Sequence, residues 1–153
     1  MVVGVQKESA NLFLRSLLPP DYVSLFRHCT RMRVPPRAIL VRAGQDIEHL
    51  LFPEDGILTV SDHSGAHAAC LVALVGREGC VGWSAAMGIG QSPFHVRAGG
   101  EGANLLRIDM VSMHRLLNDR PSLRASLMRF VHVFMVQMQS TIVSSKTDSV
   151  DRL

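Results

Sequence analysis

The chain has no CxxC pair. Its three cysteines, Cys29, Cys70 and Cys80, are an odd set spread along the sequence, which indicates neither a disulfide framework nor a zinc site. An iron–sulfur cluster would ask for about four thiolates, so that class is set aside too. The cysteines read as small apolar residues in a reducing compartment, and the cytoplasm is the expected location. No run approaches the ~20 apolar residues that cross a bilayer, and the amino terminus lacks the basic, apolar and small-residue sections of a signal peptide. No membrane partner is expected. The net charge is only +3, and the basic residues are scattered instead of blocked, so the chain itself carries no nucleic-acid signature.

Catalytic and metal patterns are equally scarce. Seven histidines are present, but none forms the His-x-His spacing by which a cupin-type barrel gathers imidazoles round a metal. His63 and His67 flank a Ser64-Gly65 turn, where they would be exposed hairpin residues. No GxSxG nucleophile elbow occurs. No catalytic residue and no metal ligand is assigned, and the chain is not expected to be an enzyme. A small cupin-like metalloenzyme stays as the alternative from another class.

What is present is enough for one domain: 153 residues, 47% of them hydrophobic, can bury a core without staples. Ser9 precedes ANLFLRSLL, a short helix with Leu12, Phe13 and Leu17 on one side. PPDYVSLFRHC follows as a second helix, with Pro20 in its first turn. The period then changes. RMRV, AILV, HLLF, GILTV, AACLVALV, FHVRA and ANLLRI are short apolar or alternating runs bounded by Pro, Gly or Asp. They give about eight short strands, the pattern of a double-sheet jelly roll or related closed β-roll. Ile57 to Val75 reads as a hairpin around Ser64-Gly65.

The last third is helical. Asp109 caps MVSMHRLLN, and Pro121 opens a far longer helix, PSLRASLMRFVHVFMVQMQSTIVSSK. From Leu127 to Met138 only Arg129, His132 and Gln137 interrupt the apolar residues. A surface helix normally carries one apolar stripe, so a helix apolar nearly all round needs two partners. The β-roll is one, and the same helix of a second chain is the expected other, because one roll cannot wrap a rod ~37 Å long. Leu127, Val131, Phe134 and Met138 step by four, three and four, as a coiled-coil dimer interface does, leaving Phe130, Val133 and Met135 for the roll. His132 reads as a satisfied core or interface histidine. The alternative is that this is the central helix of a monomer's own core. KTDSVDRL then starts a new helix, capped by Thr147 or Asp148, and supplies barely one turn of it.

In this order, LLFPEDGILTV, VGREGCVGW and SPFHVRA make the chain resemble the effector domain of the CRP/FNR family of bacterial transcription regulators. The resemblance covers essentially the whole chain, and rests also on Asp151-Arg152-Leu153 at the start of a linker. It implies a mainly β fold with flanking helices, a double-stranded β-helix or jelly roll of the cyclic-nucleotide-binding type, followed by a long C-terminal dimerisation helix. The expected divisions are a sensor roll with short helices over 1–120, the dimerisation helix over 121–147, and over 148–153 the start of a linker to a helix-turn-helix domain that is missing here. DNA would be a partner only through that absent domain.

The resemblance also assigns a pocket. In relatives that bind cyclic AMP, a glycine-rich turn presents backbone N–H groups to the cyclic phosphate, a Glu takes the ribose hydroxyl and an Arg-Ser pair completes the site. Here Gly79 and Gly82 keep the turn, Trp83 or Ser84 stands at the Glu position, and Ser92-Pro93 stands in place of Arg-Ser. The Thr-Ser pair that meets the base falls at Met138-Gln139. Pro93 has no N–H and Ser92 no charge, and an anion buried without a counter-charge is costly. Arg77 and Arg97 are the candidate replacements, with Arg97 reading as solvated strand surface. The expected pocket, lined by Trp83, Met87 and Met138, is apolar and adaptable. No cofactor is assigned: cyclic AMP is disfavoured, another small effector stays open, and a ligand-independent dimerisation module is the alternative.

Overall fold

A computed structural model describes Gln6, residues 8–63 and residues 70–150, with 141–150 as helical backbone. Two short helices, α1 (Leu12–Ser16) and α2 (Pro19–Phe26), lead into five strands: β1 (Thr30–Val34), β2 (Ile39–Val41), β3 (His49–Asp62), β4 (Cys70–Val75) and β5 (His95–Asp109). A one-turn helix, α3 (Trp83–Ala86), lies between β4 and β5, and α4 (Met110–Asp119) and α5 (Pro121–Val150) close the chain.

The organising element is an antiparallel ribbon of β3 and β5, paired from His49↔Asp109 to Ser61↔His95. β1 pairs the C-terminal half of β5, β2 its N-terminal half, and β4 the C-terminal half of β3. The ribbon bends where its register shifts between Pro53 and Leu58. Gly56 (φ 84°) and Gly102 (φ 74°) stand together at that bend, so close that a Cβ on Gly56 would strike the Gly102 carbonyl. Glycine is needed there for the left-handed backbone and the approach. This accounts for the count. About eight short strands were expected, and the seven runs quoted for them form five strands among the described residues, because HLLF and GILTV are two halves of β3, and FHVRA and ANLLRI two halves of β5.

The bend divides the core in two. Inside the roll, Val34, Leu51, Leu58, Val60, Val75 and Val96 pack together. Against the outer end, Leu50, Phe52, Leu106 and Ile108 receive the helices through Phe13, Leu14, Met113, Leu123 and Leu127. In α1, Leu14 takes the buried place expected of Leu12, which is exposed. The cap is Asn11. Fully buried, it accepts from Leu14 N–H at 3.0 Å and donates to the carbonyls of Pro53 and Gly79 at 2.8 and 2.9 Å. One amide thereby ties the first helix to β3 and to the glycine turn after β4.

Pro121 opens α5 as expected, but no break occurs at Thr147 or Asp148: the helix continues to Val150. Helices joined without a stop signal run on, and the interval carries no Gly or Pro. The hairpin turn at Ser64-Gly65, His67 and the Asp151-Arg152-Leu153 linker lie outside the described residues. Burial pushes the Cys29 thiol up to about 12 and that of Cys80 higher still, whereas Cys70 is exposed.

Asp109 caps α4, accepting from Ser112 N–H and Ser112 Oγ, each at 2.8 Å. These bonds hold its carboxyl below the usual aspartate range. Asp109→Ala is expected to lower stability to urea by about 1 kcal/mol at neutral pH. Because the folded value is the lowered one, the deficit is full above the ordinary aspartate range and closes as pH falls through the folded value. A deficit unchanged in acid would contradict the capping role.

Candidate functional site

The nine residues of VGREGCVGW divide into two turns with different work. In the first, Gly79 N–H donates to the Gly76 carbonyl at 3.2 Å, and the Glu78 carboxylate accepts from Gly76 N–H at 2.9 Å. The N–H groups of both its glycines are thus spent within the turn. The Gly79 backbone lies under α5, where an added Cβ would sit 2.9 Å from the Phe130 ring. Gly79 is a place of close packing.

The second turn does line one. Val81 exchanges both backbone hydrogen bonds with Leu51, at 2.9 and 3.0 Å, and so hangs the chain from β3. Gly82 (φ 95°) then turns it into α3. A Cβ there would meet the His49 carbonyl at 2.5 Å. From this turn Trp83 and Ser84 face a cavity of about 250 Å³. Val41, Val60 and Val96 line it from the roll, and Phe134, Met135 and Met138 of α5 supply the wall opposite. Ser92, Pro93 and Phe94 complete it. Trp83 meets Phe134 edge to face, with centroids 5.8 Å apart.

The lining holds no residue charged at neutral pH; its polar side-chain groups are the Ser84 and Ser92 hydroxyls and the Trp83 indole N–H. Ser92 is 7% exposed and already occupied. Its hydroxyl donates to the Phe94 carbonyl at 2.6 Å and accepts from Phe94 N–H at 3.2 Å, a local turn. Arg77 and Arg97 are both exposed and line no part of the cavity. Arg97 lies on the outer face of β5 with His95, whose ring stands 4.1 Å from that of His63. Nearby His63, Arg97 and Arg42, together with desolvation as the first cause, hold the His95 imidazole below its ordinary range.

Of the residues singled out in the sequence, Gly82, Trp83, Ser84, Ser92 and Met138 therefore meet round one cavity. Gly79 does not, nor does Gln139, which is exposed on the far side of α5. Met87 lies past the end of α3, in a separate groove with His114 and Met128. Phe94 and Phe134 belong to the cavity and were not singled out for it; the step of four from Phe130 to Phe134 to Met138 was the available signal. Among the described residues no group of three or more His, Cys, Asp and Glu is placed to hold a metal ion.

The helix corrects the expected interface. Leu127 is 2% and Val131 4% exposed, both within their own chain's core, while Phe134 and Met138 face the cavity. The roll takes the widest apolar stripe, Leu123, Leu127, Phe130, Val131 and Phe134, so Leu127 and Val131 have no free surface for a partner, and Phe134 and Met138 only a part-exposed one turned to the cavity. Phe130 does meet the roll as expected, but Val133 and Met135 are half exposed. The face left in solvent carries Ala125, Met128, His132, Met135 and Gln139, spaced three, four, three and four, with Val136 beside them.

No protein-family model matches the sequence, and no curated protein does. Solved structures do match by shape. The sensor domain of the transcriptional regulator DNR from Pseudomonas aeruginosa superposes with a TM-score of 0.64 at 11% identity, over 86% of this chain and 91% of that one. Thermus thermophilus Catabolite Activator Protein gives 0.69 at 14% identity, over 90% of this chain and 62% of that one. The N-terminal domain of a transcriptional regulator from Streptomyces coelicolor gives 0.65 at 17%, over 90% and 94%. The fold is the cyclic-nucleotide-binding jelly roll. The resemblance read from LLFPEDGILTV, VGREGCVGW and SPFHVRA thus holds for the fold, and the chain spans less than two thirds of the Thermus protein. Trp83, Ser84, Ser92 and Pro93, the residues to which the resemblance gave the Glu and Arg-Ser positions, all lie in the wall just described.

Gly82→Ala adds a Cβ at positive φ against a carbonyl. It is expected to cost about 1–3 kcal/mol of stability and to shift the emission of Trp83, the single tryptophan. Unfolding curves and spectra matching the parent would contradict the geometry given for this turn.

Proposed function

We propose that the chain is the sensory and dimerisation unit of a CRP/FNR-like transcription regulator, that it catalyses nothing, and that its cavity does not take cyclic AMP. The observation that carries this reading is the double use of α5. One side of the helix walls the cavity through Phe134, Met135 and Met138. The other leaves Met128 54% exposed along a heptad-spaced face with Ala125, His132 and Gln139, and Met135, 50% exposed, stands at the border of the two. A cavity that shares its wall with an association helix is placed to pass occupancy on to the geometry of a pair. The neighbours named as sensor domain and transcriptional regulator support the assignment to regulation. DNA contact belongs, on this reading, to a domain outside these residues, and the cytoplasm is where such a regulator works.

Charge argues against cyclic AMP. Its phosphate would enter a lining whose one deep hydroxyl is already bonded, with no cation to meet it, and an unpaired buried anion is costly. The homodimer is proposed through Ala125, Met128, His132 and Met135, with Val136 flanking. Such a face left in water exposes apolar surface that a symmetric partner covers.

Two measurements test the reading. Cyclic AMP and cyclic GMP should leave the melting temperature unchanged, and a rise of several degrees would overturn the account of Ser92 and Pro93. In sedimentation, Met128→Asp should raise the dimer dissociation constant ~100-fold, the effect of a charge buried without a partner. A parent chain that sediments as a folded monomer at micromolar concentration would remove the dimerisation role.

A further inference from the structure

We infer that the cavity is a binding site for a small, uncharged, largely apolar molecule of about ten non-hydrogen atoms. The size follows by scaling from cavities of ~150 Å³ that accept benzene to the 250 Å³ found here. The inference deepens the sensory role proposed above and rests on it for its regulatory meaning.

Three features fix the chemical class. The walls are Val41, Ile47, Val60, Val81 and Val96 with the rings of Trp83, Phe94 and Phe134, a surface that rewards dispersion contact and repels charge. The polar groups are too few to orient a sugar or a phosphate, because Ser92 Oγ is already engaged with Phe94. Ser84 Oγ and the Trp83 N–H remain, enough for a single hydroxyl or carbonyl on the ligand. An apolar guest would recover the dispersion contacts that this lining forfeits while it is empty.

The site also touches the exposed face of α5. Met135 lines the cavity and belongs to the exposed heptad face as well. Met138, one turn on, lines it too. Unbranched methionine side chains change rotamer at little cost. A guest that fills the space under Met135 therefore alters the surface that α5 presents to a second copy. Met135 is the positioning residue between ligand and partner.

The test uses p-xylene as the neutral probe and 4-methylbenzoate as its charged near-isostere, read by Trp83 emission and by melting temperature on the whole chain. p-Xylene should change the emission saturably and, well above its dissociation constant, raise the melting temperature by about 5 °C. 4-Methylbenzoate should bind at least tenfold more weakly. Met138→Arg should abolish the p-xylene response, and Met87→Arg, exposed and outside the cavity, should leave it intact. The inference is overturned if p-xylene gives no saturable change, if 4-methylbenzoate binds as tightly, or if Met138→Arg responds like the parent. Sedimentation of the same samples separates the two claims. A dimer that ignores p-xylene defeats the ligand class alone, and a monomer that binds it at Trp83 defeats the dimeric sensor alone.

Discussion

A line of ring contacts joins the long helix to the roll. Trp83 meets Phe134 at 5.8 Å, Phe134 meets Phe130 at 6.0 Å, Phe130 meets Phe13 at 5.5 Å, and Phe13 stacks on Phe52 at 5.9 Å. Each such pair adds about 0.5–1.5 kcal/mol beyond the area it buries, so the line fixes the rotation of α5 as well as its position. Once Phe130 and Phe134 point inward, Leu123, Leu127 and Val131 must follow, Met128 and His132 must face out, and Met135 falls at the border between cavity and solvent. The cavity exists because this same rotation sets Phe134 and Met138 across from Trp83.

Glycine placement serves the same end. Gly79 lets the backbone after β4 come under the Phe130 ring, Gly82 turns Trp83 toward Phe134, and Gly56 with Gly102 folds the ribbon so that Val60 and Val96 reach the cavity. None of these positions needs a phosphate to explain it. Asn11 adds the polar counterpart, holding the Gly79 carbonyl and Pro53 to the first helix. A glycine-rich segment at the end of a strand therefore does structural work here at its first turn and shapes a cavity wall at its second.

Much of this was legible in the residues. The change of period after Cys29, the caps at Asp109 and Pro121, and the order FPEDGI, GREG, VRA carried the fold, and the lack of a cation at Ser92-Pro93 carried the character of the cavity. The strand count was not legible, because a glycine at a bend and a glycine at a turn look alike in sequence, and only the pairing partner decides between them. The helix faces were not legible either. Two apolar stripes share α5, and the step of four and three through Leu127, Val131, Phe134 and Met138 fits a coiled-coil seam as well as it fits a roll. The roll takes the stripe richer in branched and aromatic residues, and the thinner Met and His stripe is left. Asn11 was hidden for a similar reason, since its partners lie 42 and 68 residues away.

The central claim is that α5 is covered on two sides, by its own roll and by a second α5 laid along Met128, His132 and Met135. The most direct measurement is the dipolar distance between spin labels on His132→Cys in a dimer, in a background where the exposed Cys70 is serine. The account predicts a narrow inter-chain distance consistent with helix axes about 10 Å apart. A broad, long distribution, or no inter-chain coupling at all in folded protein, would contradict it.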